Sequence, residues 1–168
     1  MNVLDPEMAA MVHQQLKSKN VELYLSDGVS AFERRGSRVV VKLASGAELP
    51  ADLVILSIGV RPDTRIAKEA GVETAPNGAI LVDERMRTNL PGVYALGDAA
   101  AFMNPVLGKA LGVPLAGPAN KQARVVAASI MADLGVGSVG TERPWRGAIG
   151  TSIAKVFDIT AASAGLAE

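Results

Sequence analysis

Val93-Tyr94-Ala95-Leu96-Gly97-Asp98 is the stretch on which the reading of this chain turns. Four residues suited to a short buried strand follow Pro91-Gly92 and run into a glycine and then an aspartate. In α/β proteins ligands lie at the carboxyl edge of the sheet, where strands end. A glycine at such an end removes the Cβ, so that a cofactor can lie against the main chain. An aspartate beside it offers a carboxylate acceptor to a sugar-like hydroxyl. Taken alone, Gly97-Asp98 is also ordinary turn chemistry. The pattern has a companion upstream: Leu53-Val54-Ile55-Leu56 is continuously apolar, as expected of a strand covered on both faces in an open α/β sheet, and it leads to Gly59.

Working outward, Asp5-Pro6 and Asn20 bound a helix predicted over Asp5 to Lys19, with Met8, Met11, Val12 and Leu16 as the stripe that covers a sheet. The period then changes to two. Val21, Leu23 and Leu25 read as a strand that turns at Asp27-Gly28, and Val29 to Arg34, Arg38 to Leu43 and Ala47 to Pro50 read as an antiparallel meander. Thr64 to Ala70 is a short helix stopped by Gly71, and Asn77-Gly78 turns into a strand from Ala79 to Val82. Ala119 to Leu134 is a second long helix stopped by Gly135, and Ala148 to Ala164 reads as two strands turning near Asp158.

Composition excludes several functions. Nearly half the residues are apolar, and 17 basic residues balance 17 acidic ones, which describes a globular chain with neither a nucleic-acid partner nor an anionic membrane partner. The longest apolar stretch, Leu53 to Ile58, is strand-sized, whereas a bilayer crossing needs roughly 20 apolar residues. Met1-Asn2-Val3-Leu4-Asp5-Pro6 lacks the pattern of a secretory signal, so the cytoplasm is the expected address. There is no cysteine, which excludes disulfides, thiolate metal sites and thiol catalysis by these residues. His13 is the only histidine, so no multi-histidine metal site is expected, and it reads as a surface or boundary residue.

Thr88-Asn89-Leu90-Pro91-Gly92-Val93-Tyr94-Ala95-Leu96-Gly97-Asp98-Ala99-Ala100 closely resembles the second flavin motif of the pyridine nucleotide-disulfide oxidoreductases. The resemblance implies that Asp98 accepts a hydrogen bond from the ribityl chain of FAD, with Thr88 and Gly97 part of the same cofactor motif. Val54 to Pro62 resembles the linker by which family members leave the NAD(P)H domain, and implies that Gly59 lies near the dinucleotide. Pro114-Leu115-Ala116-Gly117-Pro118-Ala119-Asn120-Lys121-Gln122-Ala123-Arg124 resembles the helix start beneath the flavin in coenzyme A-disulfide reductases and related NADH oxidases. There the backbone of Leu115, Ala116 and Gly117 would contact the flavin, and Asn120 matches a position that touches coenzyme A in some members. A helix N-terminus, with free N–H groups and partial positive charge, suits negative charge developing on a reduced ring. Gly147 to Asp158 resembles the opening of the family's C-terminal dimerisation domain.

The resemblance spans essentially the whole chain and only the middle of the family architecture. Family members begin with a Gly-rich strand-turn-helix for the FAD pyrophosphate, then carry a redox cysteine and a second such turn for NAD(P)H. This sequence contains none of them, so it is expected to be an internal piece of such an enzyme. The fold class expected is α/β: partial FAD/NAD(P)-binding Rossmann-like domains of the three-layer ββα kind with an antiparallel meander, plus the start of an α+β dimerisation domain. Residues 1–59 would be the C-terminal half of the NAD(P)H-binding domain, 60–137 the second segment of the FAD-binding domain, and 138–168 the start of the dimerisation domain. The implied parent enzyme is a homodimer that passes electrons from NADH or NADPH through FAD to a small disulfide, such as coenzyme A disulfide, or to oxygen. This chain alone would carry no catalytic residue and no activity. A reading from another class makes it a truncated, non-catalytic nucleotide-binding or dimerisation module.

Three features read as decoys. Gly135-Val136-Gly137-Ser138-Val139-Gly140 has the GxGxxG spelling but follows a helix instead of preceding one, so it reads as an inter-domain connection. Tyr94 and Trp145 read as packing aromatics, and Asp83-Glu84 as a solvated turn.

Overall fold

Proline has no N–H to leave unpaired at a helix start, and helix α1 begins on one, at Pro6–Ser18. The structure, a computed structural model, describes residues 4–136 and 143–165. Two compact units are present, one gathering Met1–Gly59 with Ala154–Ala161, the other Val60–Ile153 with Ala162–Ala167.

In the first unit the buried residues of α1 are Ala9 and Val12. Met8 and Met11, expected on the covered stripe, are exposed, so the buried face is narrower than the apolar one. At the C-terminal end of the helix Lys19 pairs with Asp158 at 2.6 Å. The meander forms as its alternation predicts: β1 (Val29–Arg35), β2 (Arg38–Leu43) and β3 (Glu48–Ala51) make an antiparallel sheet in that order. Val40 and Leu43 are buried. The charged positions form a solvated network in which Arg35 reaches Glu48 with two N–H groups, at 2.7 and 2.8 Å, and Lys42 meets Glu33 at 2.5 Å.

Two strands expected in this unit are absent. Residues 21–24 form no strand, and Asp27 instead caps the meander, accepting hydrogen bonds from the Ser45 amide and hydroxyl. Leu53 to Leu56, expected to be covered on both faces, forms no strand, and Leu53, Ile55 and Ile58 are 77%, 81% and 87% exposed. A doubly covered strand takes its cover and its hydrogen bonds from neighbouring elements, and none flanks this run among the described residues.

The second unit holds α2 (Arg65–Glu69), stopped by Gly71 at φ +86°, and a small mixed sheet. In it β4 (Ile80–Leu81) runs parallel to β5 (Ala100–Met103), which pairs antiparallel with β6 (Ala110–Leu111). Val93 to Leu96 joins no sheet; Tyr94 makes one isolated bridge with Arg87, and Val93 and Leu96 remain partly exposed, against the expectation of a buried strand. Helix α3 (Ala116–Asp133) starts three residues before its expected beginning, because Pro118 is tolerated within a first turn. Met86, Phe102, Val113 and Val126 form the core, and Trp145 packs edge-on against Phe102 with ring centroids 5.4 Å apart. Asp83 accepts the amides of Arg85 and Arg87, the turn role expected of it. The chain continues into a two-stranded sheet of β7 (Thr151–Val156) and β8 (Ile159–Ala164). Gly137 to Gly140 of the GxGxxG run lie outside the described residues. Among the described residues no helix is long and apolar enough to cross a membrane.

Candidate cofactor-binding site

The extended segment before Gly97 ends at Leu96, and Gly97 then takes φ +76°, a left-handed conformation that glycine adopts without penalty. That step opens a single 3-10 turn, Gly97–Ala99, which feeds directly into the buried β5. The turn rests on α3. The Gly97 N–H donates to Oε1 of Gln122 at 2.7 Å, and a Cβ built on Gly97 would stand 3.8 Å from the Ala119 Cβ.

The beginning of α3 is open. Leu115 is extended and provides no side-chain cap, and the first turn carries no acidic residue. Pro118 has no N–H, and the Ala119 N–H is already taken by the Leu115 carbonyl at 3.2 Å. The N–H groups of Ala116 and Gly117 are left without a protein partner among the described residues, and both residues are exposed. They carry the positive end of an 18-residue helix. Asp98 is exposed, and its carboxylate has no partner among the described residues. A free acceptor and two free donors therefore share one end of α3, separated by a glycine turn and small side chains. This arrangement fits a ligand that presents hydroxyls on one side and an electron-rich ring edge on the other. Asn120 is exposed on the second turn of the same helix.

Of the other sequence-derived residues, Thr88 does not join this group and Gly59 belongs to the first unit. The Thr88 hydroxyl accepts the Leu90 N–H at 3.2 Å and donates to the Val93 carbonyl at 3.0 Å, which makes it the brace of its own turn. It lines a cavity with Ile130, Asp133 and Leu134, at the far end of α3, about 25 Å from Ala116 at 1.5 Å per residue. Gly59 closes the first unit, exposed and at φ +86°, and a Cβ there would meet open space.

Sequence reasoning missed Gln122, which is 1% exposed and ties the glycine turn to the helix. The available signal was a polar residue in the buried stripe Gln122, Val126, Ser129. It also missed the clamp at the other end of α3, where Arg87 holds Asp133 through two N–H groups at 2.9 and 2.5 Å and Tyr94 donates its hydroxyl to the same carboxylate. Arg87 first, then Tyr94, holds the Asp133 carboxyl down at about 2. Among the described residues no cluster of His, Asp or Glu could hold a metal ion.

The family profile described as pyridine nucleotide-disulphide oxidoreductase matches residues 1–129. The chain belongs to that family. The NAD(P)H sulfur oxidoreductase (CoA-dependent) of Pyrococcus furiosus is 34% identical over 98% of this chain, and the chain spans 35% of that relative. The reduced CoADR-RHD of Bacillus anthracis is 42% identical over 99% of the chain with a TM-score of 0.86, and 28% of it is covered. A FAD-dependent pyridine nucleotide-disulphide oxidoreductase of Desulfovibrio vulgaris is 34% identical over 99% of the chain with a TM-score of 0.84, and 40% of it is covered. Other relatives of this oxidoreductase chain are named coenzyme A disulfide reductase and NADH oxidase, the branch that the helix start at Pro114 to Arg124 resembles. These neighbours carry the fold class with them: the chain is α/β, part of a Rossmann-like FAD/NAD(P)-binding architecture. It spans about a third of the length of curated relatives such as the Pyrococcus enzymes.

Proposed function

We propose that this chain forms the part of a flavin-dependent NAD(P)H oxidoreductase that closes over FAD. The observation that carries the reading is the Gly97-Asp98 turn, bonded through Gln122 to an uncapped helix whose Ala116 and Gly117 amides are free. Bound FAD would supply the redox chemistry, accepting hydride from NADH or NADPH and delivering electrons onward. Asp98 accepts hydrogen bonds from the ribityl hydroxyls and so fixes the cofactor's polyol arm. The Leu115 to Gly117 backbone presents N–H groups and the positive end of α3 where negative charge collects on reduction, which stabilises the reduced form. Gly59 leaves the main chain bare for a dinucleotide, and Asn120 faces the acceptor. The names of the relatives favour a coenzyme A-linked disulfide or persulfide as that acceptor, with oxygen as the alternative in the NADH oxidase branch. The domain boundaries at residues 59 and 137, a homodimeric parent enzyme and a cytoplasmic setting belong to the same proposal. With no cysteine to exchange with a disulfide, this chain alone turns nothing over, and without a Gly-rich turn to hold the pyrophosphate it binds FAD weakly.

Titration of the full chain with FAD, followed by two-dimensional amide NMR, tests the site. The expected shifts fall on Gly97, Asp98, Ala116 and Gly117, and Asp98→Ala abolishes them while leaving the rest of the spectrum in place. Shifts confined to other residues, or identical shifts in Asp98→Ala, would refute the assignment.

A further inference from the structure

Asp98 is held from two sides, and only one of them belongs to a sheet. On its C-terminal side the chain enters β5, where Ala100 pairs with Ile80 and the Ala100 N–H closes the turn on the Gly97 carbonyl. On its N-terminal side Leu96 is 38% exposed, and the nearest backbone bond among the described residues runs from the Ala95 N–H to the Met86 carbonyl. A single 3-10 turn between these anchors has little stability of its own, and Gly97, at φ +76°, has a wide choice of backbone conformations. The bond from the Gly97 N–H to Oε1 of Gln122, 2.7 Å long, is what fixes that turn against α3.

The other end of the same amide decides what this bond is for. Gln122 is 1% exposed, and its Nε2 is buried without a hydrogen-bond partner. The Gly97 N–H needs an acceptor, so the amide cannot exchange its two ends without setting two donors face to face. A buried donor left unpaired offsets what the bond to Gly97 contributes. Methionine in the stripe with Val126 would lose the bond and remove the orphan together, so glutamine adds little to stability here. What glutamine supplies, and an apolar residue does not, is a fixed distance. It stands six residues beyond Ala116, about 9 Å along α3, on the side that carries Ala119 toward Gly97.

We infer that Gln122 is a positioning residue: through the Gly97 N–H it holds the Asp98 carboxylate at a set distance from the free amides of Ala116 and Gly117. The inference rests on reading these groups as two halves of one cofactor site. Gln122 itself is buried and touches no ligand. A polyol that bonds to Asp98 while its ring edge meets the amides needs both ends fixed before it arrives. An acceptor free to swing must be ordered on binding, which lowers affinity.

The chain has no cysteine, so Asp98→Cys accepts a single nitroxide label and the distance can be read by amide NMR without any ligand. Strong paramagnetic broadening of the Ala116 and Gly117 amides is expected, falling severalfold when Gln122→Met is added. Val126→Ala is the comparison, since Val126 is a core residue further along the same stripe. It should lower the unfolding midpoint and leave the broadening in place, whereas Gln122→Met should do the reverse. Gln122→Glu, read at about pH 5 where burial keeps its carboxyl protonated, restores an acceptor for the Gly97 N–H and should restore the broadening. If that variant does not fold, the contrast between Gln122→Met and Val126→Ala decides by itself. Where FAD shifts Gly97, Asp98, Ala116 and Gly117 in the unlabelled chain, its Kd should rise about tenfold in Gln122→Met. FAD that shifts none of them refutes the cofactor reading and leaves the broadening to decide this inference alone. Unchanged broadening in Gln122→Met, equal loss in Val126→Ala, no recovery in a folded Gln122→Glu, or FAD bound as tightly by Gln122→Met as by the unaltered chain overturns it.

Discussion

Gly97 and Gly147 both hold left-handed backbone, at φ +76° and +87°, and differ in what a β-carbon would meet. At Gly97 the added carbon would lie 3.8 Å from the Ala119 Cβ, an ordinary contact. At Gly147 it would lie 2.7 Å from Cδ of Pro105 and 2.8 Å from the carbonyl oxygen of Met103. One obstacle is a closed ring and the other is the backbone at the end of β5, so neither can turn aside as a flexible side chain would. Alanine at either position incurs the left-handed penalty of about 1–2 kcal/mol. Only Gly147→Ala adds an overpacking cost of about 1–3 kcal/mol. The expected destabilisation is therefore about 1–2 kcal/mol for Gly97→Ala and about 2–5 kcal/mol for Gly147→Ala. Trp145 is the only tryptophan and packs on Phe102 in the same unit, so its fluorescence in a urea titration reports that unit alone. The midpoints should move with the slope unchanged, as for a change in stability without a change in the area exposed. A Gly147→Ala midpoint equal to or above that of Gly97→Ala would refute the close approach of residues 103–105 to 147.

Gln122→Met removes the acceptor of the Gly97 N–H and also the buried Nε2, which has no partner; each effect is about 1–3 kcal/mol and they oppose. The unfolding midpoint should hardly move while the Gly97 amide exchanges at least about tenfold faster, and unchanged protection would contradict the bond. The Asp133 carboxyl is depressed from 3.8 to about 2, so its pairing stabilises the fold fully above the upper value and is lost as pH falls through the lower one. Carbon-detected titration should find its midpoint near the lower value and Arg87→Gln should return it toward the ordinary carboxylate range; a normal midpoint in the unaltered chain would sink the clamp.

What the sequence disclosed and what it withheld divide along one physical line. Helix ends, the meander and the β7–β8 turn are decided by residues within a few positions of each other: Gly71 and Gly135 can enter the left-handed conformation that closes a helix, and Arg35 and Arg38 flank a tight turn at Gly36. Leu53 to Leu56 shows the limit of this locality. An unbroken apolar run states that its side chains favour burial, but the burying surface must come from strands and helices far away in sequence, and none lies over the run among the described residues. The same distinction holds within the candidate site. Gly97-Asp98 and the small residues after Leu115 were legible because a ligand's approach to the main chain demands particular residue types at those positions. Gln122 was not, because a polar residue in the stripe it shares with Val126 and Ser129 does not by itself disclose the group it bonds. Only the packing of the Gly97 turn onto α3 makes it the bond that joins the carboxylate acceptor to the amide donors, so that loss of that contact would separate the two halves of the site without altering any residue that touches a ligand.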